Sequence, residues 1–313
     1  MAAVAVSVEG LRKHYGSLEA VAGVSFEVDR SEVFALLGPN GAGKTTTIEI
    51  LEGFRTRDAG RVQVLGFDPA ERRRDFRERL GIVLQELAVE PMLSVREVLE
   101  RNAGYYPAPR GVDEVIELVG LGEKADARVK TLSGGQQRRL DVGLGIVGNP
   151  ELVFLDEPTT GFDPSARRGA WDLVRALSGG GTTVILTTHY MDEAEALADR
   201  VAVIARGRIV AIGPPRSLGG RDVGEATIRF HLPEGAPRPE LRVAARDGTG
   251  GVFEIATDDE VGVLHELTGW SLERHVPLQG LTVERLTLED VYLRLVGDTA
   301  HGAPGAGDVG PPS

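Results

Sequence analysis

The sequence contains no cysteine. Disulfide bridges, thiolate zinc sites and cysteine-ligated iron–sulfur clusters are thereby excluded. Lysine is nearly missing too. Lys13, Lys44, Lys124 and Lys130 are the only four, so arginine supplies almost all of the 35 basic residues. Acidic residues number 47 and the formal net charge is -12. That balance argues against a nucleic-acid partner, because neutralising phosphates takes an excess of Lys and Arg. It argues equally against a polybasic membrane anchor. No run approaches the roughly 20 apolar residues that a membrane-spanning helix needs. The opening MAAVAVSVEG has a short apolar stretch with no basic residues ahead of it, which makes a poor signal peptide. The chain is therefore expected to be soluble by itself, without direct membrane insertion. Any role at a membrane then needs another polypeptide to hold it there.

What is present is organised in two textures. Length (313 residues) allows a large domain and a smaller one, and 42% apolar residues suffice for an ordinary core. Residues 4–30 alternate apolar and polar side chains, which predicts short antiparallel strands. Ser31 to Leu37 is a compact apolar run ending in glycine, suited to a buried parallel strand that feeds a loop. A helix is expected from Thr46. The stretch 86–148 is helical in character, with Ser94 and Glu97 spaced as a capping box and VDEVIELVGL forming a further helix. Leu152 and Thr182 begin further buried strands, and a hairpin is expected to turn at Arg206–Gly207. Strand and helix in alternation imply an α/β fold with a mainly parallel sheet and helical layers. Near Arg221 the buried runs stop. Short strands are expected at Thr227 to Leu232, Leu241 to Arg246 and Gly251 to Ile255, with DGTGG as a hairpin turn. Helices follow near Asp258 to Leu267 and Leu288 to Leu295. The expected division is 1–221, a small α+β domain at 222–297, and a disordered Gly/Ala/Pro-rich tail at 298–313.

Three segments carry chemistry. GPNGAGKTT begins at Gly38 and fits the phosphate-loop pattern G-x-x-x-x-G-K-[ST]. Its glycines let backbone N–H groups curl around phosphate oxygens, and the following helix directs its positive end at the same anion. Lys44 would reach the β- and γ-phosphates of ATP, and Thr45 would offer its hydroxyl to Mg2+. The competing reading is a chance glycine turn, which the strand-to-helix context and the scarcity of lysine oppose. Next, four apolar residues lead into Asp156 and Glu157. There Asp156 would hold Mg2+ and Glu157 would orient or deprotonate the attacking water; the alternative is a solvated Asp-Glu-Pro turn. Finally, LSGGQ at Leu132 to Gln136 opens a helix and makes a second anion site, or else an ordinary serine-capped start. One nucleotide does not need two phosphate cradles in one domain. Two chains facing head-to-tail would use both.

Taken in order, these motifs resemble the nucleotide-binding subunit of an ABC transporter over about residues 4–220. In that resemblance Tyr15 matches the aromatic that stacks on adenine. Gly38, Pro39, Asn40, Gly41, Ala42, Gly43, Lys44, Thr45 and Thr46 match Walker A. Gln85 matches the glutamine loop that senses γ-phosphate and metal. Ser133, Gly134, Gly135 and Gln136 match the signature. Asp156 and Glu157 match Walker B and the catalytic glutamate, Gly161 to Asp163 the D-loop, and His189 the switch histidine. The fold implied is a P-loop ABC cassette: a mainly parallel sheet core, an antiparallel β subdomain, a helical subdomain at about 86–148 and a C-terminal accessory α+β domain. Catalysis would fall to Glu157, His189, Gln85 and Lys44. The metal would lie between Thr45, Gln85 and, through water, Asp156. Asp163 would contribute from the dimer face. The chain departs from the pattern at Phe162, where leucine is usual, which puts contacts across the dimer in question.

TTGFDP, HYMDEAEALADRVAVIARGRIVAIGPP and the closing LTLEDVYLRLVG resemble the drug-resistance, daunorubicin-type exporter branch. That branch implies a separate transmembrane permease, a second copy of the chain or a homologous ATPase, and a peripheral place on the cytoplasmic face of the cell membrane. Related cassettes export lipid, polysaccharide or ions. Two rivals come from other classes. A soluble non-transport ABC ATPase normally has two cassettes or a long coiled coil, and neither is present. A small-molecule kinase would not carry LSGGQ upstream of LVFLDEP. His231, His265 and His275 have no metal-ligand spacing. Trp171 and Trp270 read as packing residues, and the run Arg72, Arg73, Arg74, Arg77 and Arg79 as a solvated helix face.

Overall fold

Strands with no polar side chain to expose have to be covered on both sides, and three of them make the centre of the chain. β3 (Val33–Leu37) is buried at all five positions, β6 (Leu152–Asp156) at its first four, and β7 (Thr183–Thr188) throughout. Such continuous burial is the mark of interior parallel strands. In the computed structural model they form a six-stranded sheet among the described residues, in the order β5-β6-β7-β3-β8-β9. β5 (Leu80–Val83) and β8 (Arg200–Ala205) extend it in parallel, and β9 (Arg208–Gly213) closes the edge as the antiparallel arm of the hairpin expected at Arg206–Gly207. The residues described are 3–83, 89–159, 162, 164–218, 226–233, 235–247, 251–284 and 287–293; of 164–166 only the backbone is described.

The alternating N-terminal segment pairs as a second sheet, β2-β1-β4, from β1 (Val4–Tyr15), β2 (Leu18–Asp29) and β4 (Ala59–Val64). The first two strands run 12 residues each, longer than the short strands expected. Length is accommodated by a register shift between Val8 and Leu11, where Gly10 takes a φ of 59°. Val6, Val8, Val24, Phe26 and Val28 point into the core shared with Phe34, Leu36, Phe154 and Ile185.

Seven α-helices of this unit lie among the described residues. α1 (Lys44–Leu51) follows β3. α2 (Arg74–Arg77) is a single turn, so the arginine run is a bend more than a helix face; its charges pair locally as Arg73–Asp75 and Arg74–Glu78. Arg79 instead reaches Glu151 at 2.5 and 2.8 Å, tying the start of β5 to that of β6. α3 (Val95–Ala103) has the expected capping box: Glu97 N–H donates to Ser94 Oγ at 3.2 Å, and Ser94 N–H to Glu97 Oε2 at 2.7 Å. α4 (Val112–Leu118), α5 (Gly134–Ile146), α6 (Pro164–Gly179) and α7 (Met191–Leu197) complete the set.

The chain divides between Pro215 and Arg216. The boundary expected at 221 falls among residues outside the described set, as do the tail at 298–313 and the tip of the DGTGG turn. The second unit has its own sheet, β11-β12-β10-β13, from β10 (Ala226–His231), β11 (Arg246–Asp247), β12 (Val252–Thr257) and β13 (Gln279–Glu284). Against it pack Val263 and Leu267 of α8 (Glu260–Arg274), meeting Ile228, Phe230 and Ile255. A last helical stretch covers residues 288–293.

One expectation fails here. Residues 241–245 are not a strand; only Arg246 and Asp247 pair with β12. The alternation that suggested a strand is real, since Leu241, Val243 and Ala245 pack on the core. It records burial without a partner backbone. β13 was not expected, and its six residues are all exposed. No helix among the described residues is long and apolar enough to cross a membrane.

Candidate active site

Parallel strands end at the same sheet edge, and registry decides which ends meet. Leu37 pairs with Thr188, and Asp156 pairs with Thr187. The loop after β3, the acids at the end of β6 and the histidine after β7 are therefore neighbours despite lying 38 to 189 residues along the chain. Ligands of open α/β sheets bind at this carboxyl edge.

The loop from Gly38 to Thr46 is held by its backbone. A Cβ at Gly38 would collide with the carbonyl oxygen of Ile204, and one at Gly43 with that of Ala20. Gly41 and Gly43 have φ of 79° and 103°, a region that glycine enters without steric cost. Ala42 N–H donates to Pro39 O at 3.2 Å, Gly207 N–H donates to Ala42 O at 2.9 Å, and Asn40 stands exposed. Thr45 and Thr46 occupy the first turn of α1. The Lys44 side chain is only 5% exposed, and its Nζ donates to Gly38 O at 2.8 Å and Pro39 O at 3.3 Å. Burial pushes the Lys44 ammonium below its ordinary range, while the charges of Glu157 and Asp156 oppose this. A buried cation fastened to loop carbonyls is an arrangement that an incoming phosphate would complete.

Glu157 is the centre of a polar cluster. Its Oε1 lies 3.8 Å from Lys44 Nζ and 3.3 Å from His189 Nδ1. Its N–H donates to Thr187 Oγ1 at 3.0 Å, and the same hydroxyl donates to Asp156 Oδ1. Thr187 thus fixes both acids at once. The Glu157 backbone has a φ of 46°, uncommon for a residue with a side chain. His189 stacks on Tyr190, with ring centroids 4.1 Å apart. Beneath them the fully buried Glu193 is surrounded by Thr188, Thr159 and Trp171; burial raises its carboxyl and these neighbours oppose that.

Other expected residues lie elsewhere. Ser133 caps α5: Gln136 N–H donates to its hydroxyl at 3.3 Å, and Gln136 Oε1 accepts from Ser133 N–H at 2.9 Å. A Cβ at Gly134 or Gly135 would meet nothing within 4 Å. No hydrogen bond among the described residues joins 133–136 to the loop at 38–46. Tyr15 is 39% exposed at the end of β1, with the Arg55 guanidinium 5.5 Å from its ring centroid. Gln85, Gly161 and Asp163 lie outside the described residues, whereas Phe162 is half-buried. Lys44 of the loop and His189 meet at Glu157, and Asp156 joins them through Thr187; no hydrogen bond among the described residues joins Tyr15 or residues 133–136 to the acids.

Four residues escaped the sequence reading. Thr187 was visible only as part of TTVILTTH, although alignment of the β6 and β7 ends would have set it opposite Asp156. Arg138 (side chain 11% exposed) and Asp141 sit on α5, where burial raises the Asp141 carboxyl to about 6 against the opposing charge of Arg138. Glu52, at the end of α1, is 7% exposed. Its carboxyl is pushed up to about 8 by burial, then by the charges of Asp156 and Glu49. A raised carboxyl costs nothing while protonated in both folded and unfolded chains. Its penalty grows as pH climbs from about 4.5 to 8 and is complete above that. Glu52→Gln is expected to be more stable than the parent near pH 7 by on the order of 3 kcal/mol. Melting temperatures from pH 5 to 9 check it, and a stability gap that does not widen with pH refutes it.

The donor set suits a hard cation. Thr45 hydroxyl and Asp156 carboxylate would offer it oxygen atoms, and no cluster of three or more His, Cys, Asp or Glu metal ligands occurs among the described residues. Mg2+ commonly takes one or two protein oxygens and fills the rest with water and phosphate.

Comparisons with known proteins identify the family. The family described as ABC transporter matches residues 21–160, and the one described as ABC transporter domain-containing protein-like, C-terminal domain, matches residues 226–287. A daunorubicin resistance ATP-binding protein of Streptomyces coeruleorubidus is 36% identical over 308 residues, covering 95% of this chain and 98% of the relative. The Nod factor export ATP-binding protein I of Ralstonia nicotianae is 39% identical, covering 93% and 94%. Among solved structures, cbiO1 of Clostridium perfringens, part of the ABC transporter complex cbiONQ, superposes with a TM-score of 0.63 at 28% identity, over 69% of this chain and 90% of that one. The phosphate loop, the paired acids after β6 and the histidine after β7 therefore lie on a known scaffold, and the chain belongs to the ATP-binding, ATP-hydrolysing subunits of the ABC transporter family.

Proposed function

We propose that the chain is the motor of an exporter, driving a drug or other small hydrophobic molecule through a separate transmembrane permease from the cytoplasmic face of the membrane. The observation that carries this is likeness over nearly the whole chain to a daunorubicin resistance protein and a Nod factor export protein. A generic cassette would match only its first two thirds.

Hydrolysis then follows from the cluster around Glu157. Backbone N–H groups of Gly41 to Thr45 receive the β- and γ-phosphates, and Lys44 exchanges its loop carbonyls for phosphate oxygens. Thr45 and Asp156, with Gln85, hold Mg2+, which when bound supplies charge to stabilise the transferring phosphoryl group. Glu157 accepts a proton from the attacking water, and His189 stabilises charge on the γ-phosphate side. Tyr15 stacks on adenine. Gly134 and Gly135 present their N–H groups at a helix start, between Ser133 and Gln136, whose own N–H groups are taken up by the capping box. They serve the nucleotide of a second copy or a homologous ATPase, a role that the resemblance extends to Asp163.

A tagged chain recovered from detergent-solubilised membranes of its native host tests the assignment. The expected companion is a multi-helix integral membrane protein in stoichiometric amount, and its co-expression is expected to raise resistance to a hydrophobic drug. A chain that purifies from membranes without any integral protein removes the transport reading and leaves an ATPase.

A further inference from the structure

Arg138 follows the signature on α5, five residues after Ser133, yet its side chain does not turn to solvent. Nη2 donates to the carbonyl oxygen of Asp156 at 3.3 Å, and Nε donates to that of Pro158 at 3.4 Å. These are the carbonyls of the residues before and after Glu157. The peptide between them carries the left-handed φ of 46°, a conformation that a side-chain-bearing residue keeps only where its surroundings hold it. On the far side, Thr187 holds the Glu157 N–H. The guanidinium is itself oriented by Asp141, one turn along α5, at 3.8 Å. A planar fork carries its donors on separate nitrogens at fixed spacing, so Nε and Nη2 meet the two carbonyls independently, a geometry that the single nitrogen of an ammonium does not reproduce.

The geometry points to Arg138 as a positioning residue for hydrolysis: it clamps the backbone on both sides of Glu157 and so links the helix that begins at Ser133 to the carboxylate of the same chain. This rests on the assignment of Glu157 made above. Each α5 is then attached at its start to the segment that serves a neighbouring nucleotide and, through Arg138, to the acid that works on its own. The bonds of Arg138 run to the carbonyls that flank Glu157, so its removal is expected to act on the aim of Glu157 and to leave the phosphate loop unaltered.

The test compares Arg138→Ala, Arg138→Lys and Glu157→Gln in the full chain, with phosphate release measured against ATP concentration and nucleotide affinity measured with a fluorescent analogue. Arg138→Ala is expected to lower kcat by roughly 10- to 100-fold, the scale of a carboxylate displaced by about an ångström, with KM for ATP within about twofold of the parent. Arg138→Lys, able to reach one carbonyl, is expected to lie between the two. Full kcat in Arg138→Ala, with Glu157→Gln inactive, overturns the clamp and leaves the assignment of Glu157 standing. Full turnover in Glu157→Gln overturns that assignment first. A loss confined to KM also overturns the clamp. Should Arg138→Ala give no cooperative melt, Arg138→Lys decides: a kcat equal to the parent's refutes the proposal, and a reduced kcat at unchanged affinity supports it.

Discussion

Glu157→Gln is expected to bind Mg-ATP about as tightly as the parent chain and to hydrolyse it at least about 100-fold more slowly. General-base catalysis contributes on the order of 10²- to 10⁴-fold, and an amide cannot take the proton. The amide has the shape of the carboxyl it replaces, so the bond from its N–H to Thr187 and those from Arg138 to the carbonyls of Asp156 and Pro158 on either side persist. What changes is charge. Glu157 stands 3.8 Å from the buried Lys44 ammonium and is the larger of two acidic influences that keep it protonated. In the nucleotide complex the phosphates replace that influence, which is why affinity holds while turnover falls. Single-turnover phosphate release beside an equilibrium binding titration separates the two quantities. Turnover close to the parent's would remove Glu157 from the mechanism.

The second large effect is expected at Lys44. Lys44→Ala should weaken nucleotide binding about 10- to 100-fold, since hydrogen bonds to charged groups are worth about 1.5–3 kcal/mol each. Part of the loss comes from the loop itself, because the ammonium now joins the carbonyls of Gly38 and Pro39 at 2.8 and 3.3 Å. Removing it leaves those carbonyls aimed into a cavity with no donor. Lys44→Arg is not a rescue, for a side chain only 5% exposed has no room for a guanidinium fork. Isothermal titration with a non-hydrolysable analogue reads the change. Affinity unaltered in Lys44→Ala would mean that the anion sits elsewhere.

Legibility in the sequence tracks how local each requirement is. The loop at Gly38 to Thr45 was readable because phosphate binding is met by consecutive backbone groups, so composition and spacing carry the information. The buried strands were readable because burial on both faces leaves no polar positions, as in Val33 to Leu37. The capping box at Ser94 and Glu97 was readable for the same reason of closeness. Thr187 and Arg138 were not, since their partners lie 31 and 18 to 20 residues away and depend on strand registry and helix placement. Leu241 to Ala245 misled because alternation measures which side chains are covered and does not say whether a neighbouring strand offers hydrogen bonds. Gln85 and Asp163 were named by resemblance alone.

The left-handed backbone at Glu157 has an evolutionary corollary. Glycine or asparagine would occupy a φ of 46° with less strain than glutamate, so folding by itself pulls this position away from the acid. On the role proposed for Glu157, selection for hydrolysis opposes that pull. In a duplicated gene whose product needed to bind ATP but no longer to cleave it, this codon would be among the first to drift. Its identity is thus a readable record of whether a given descendant still turns over its nucleotide.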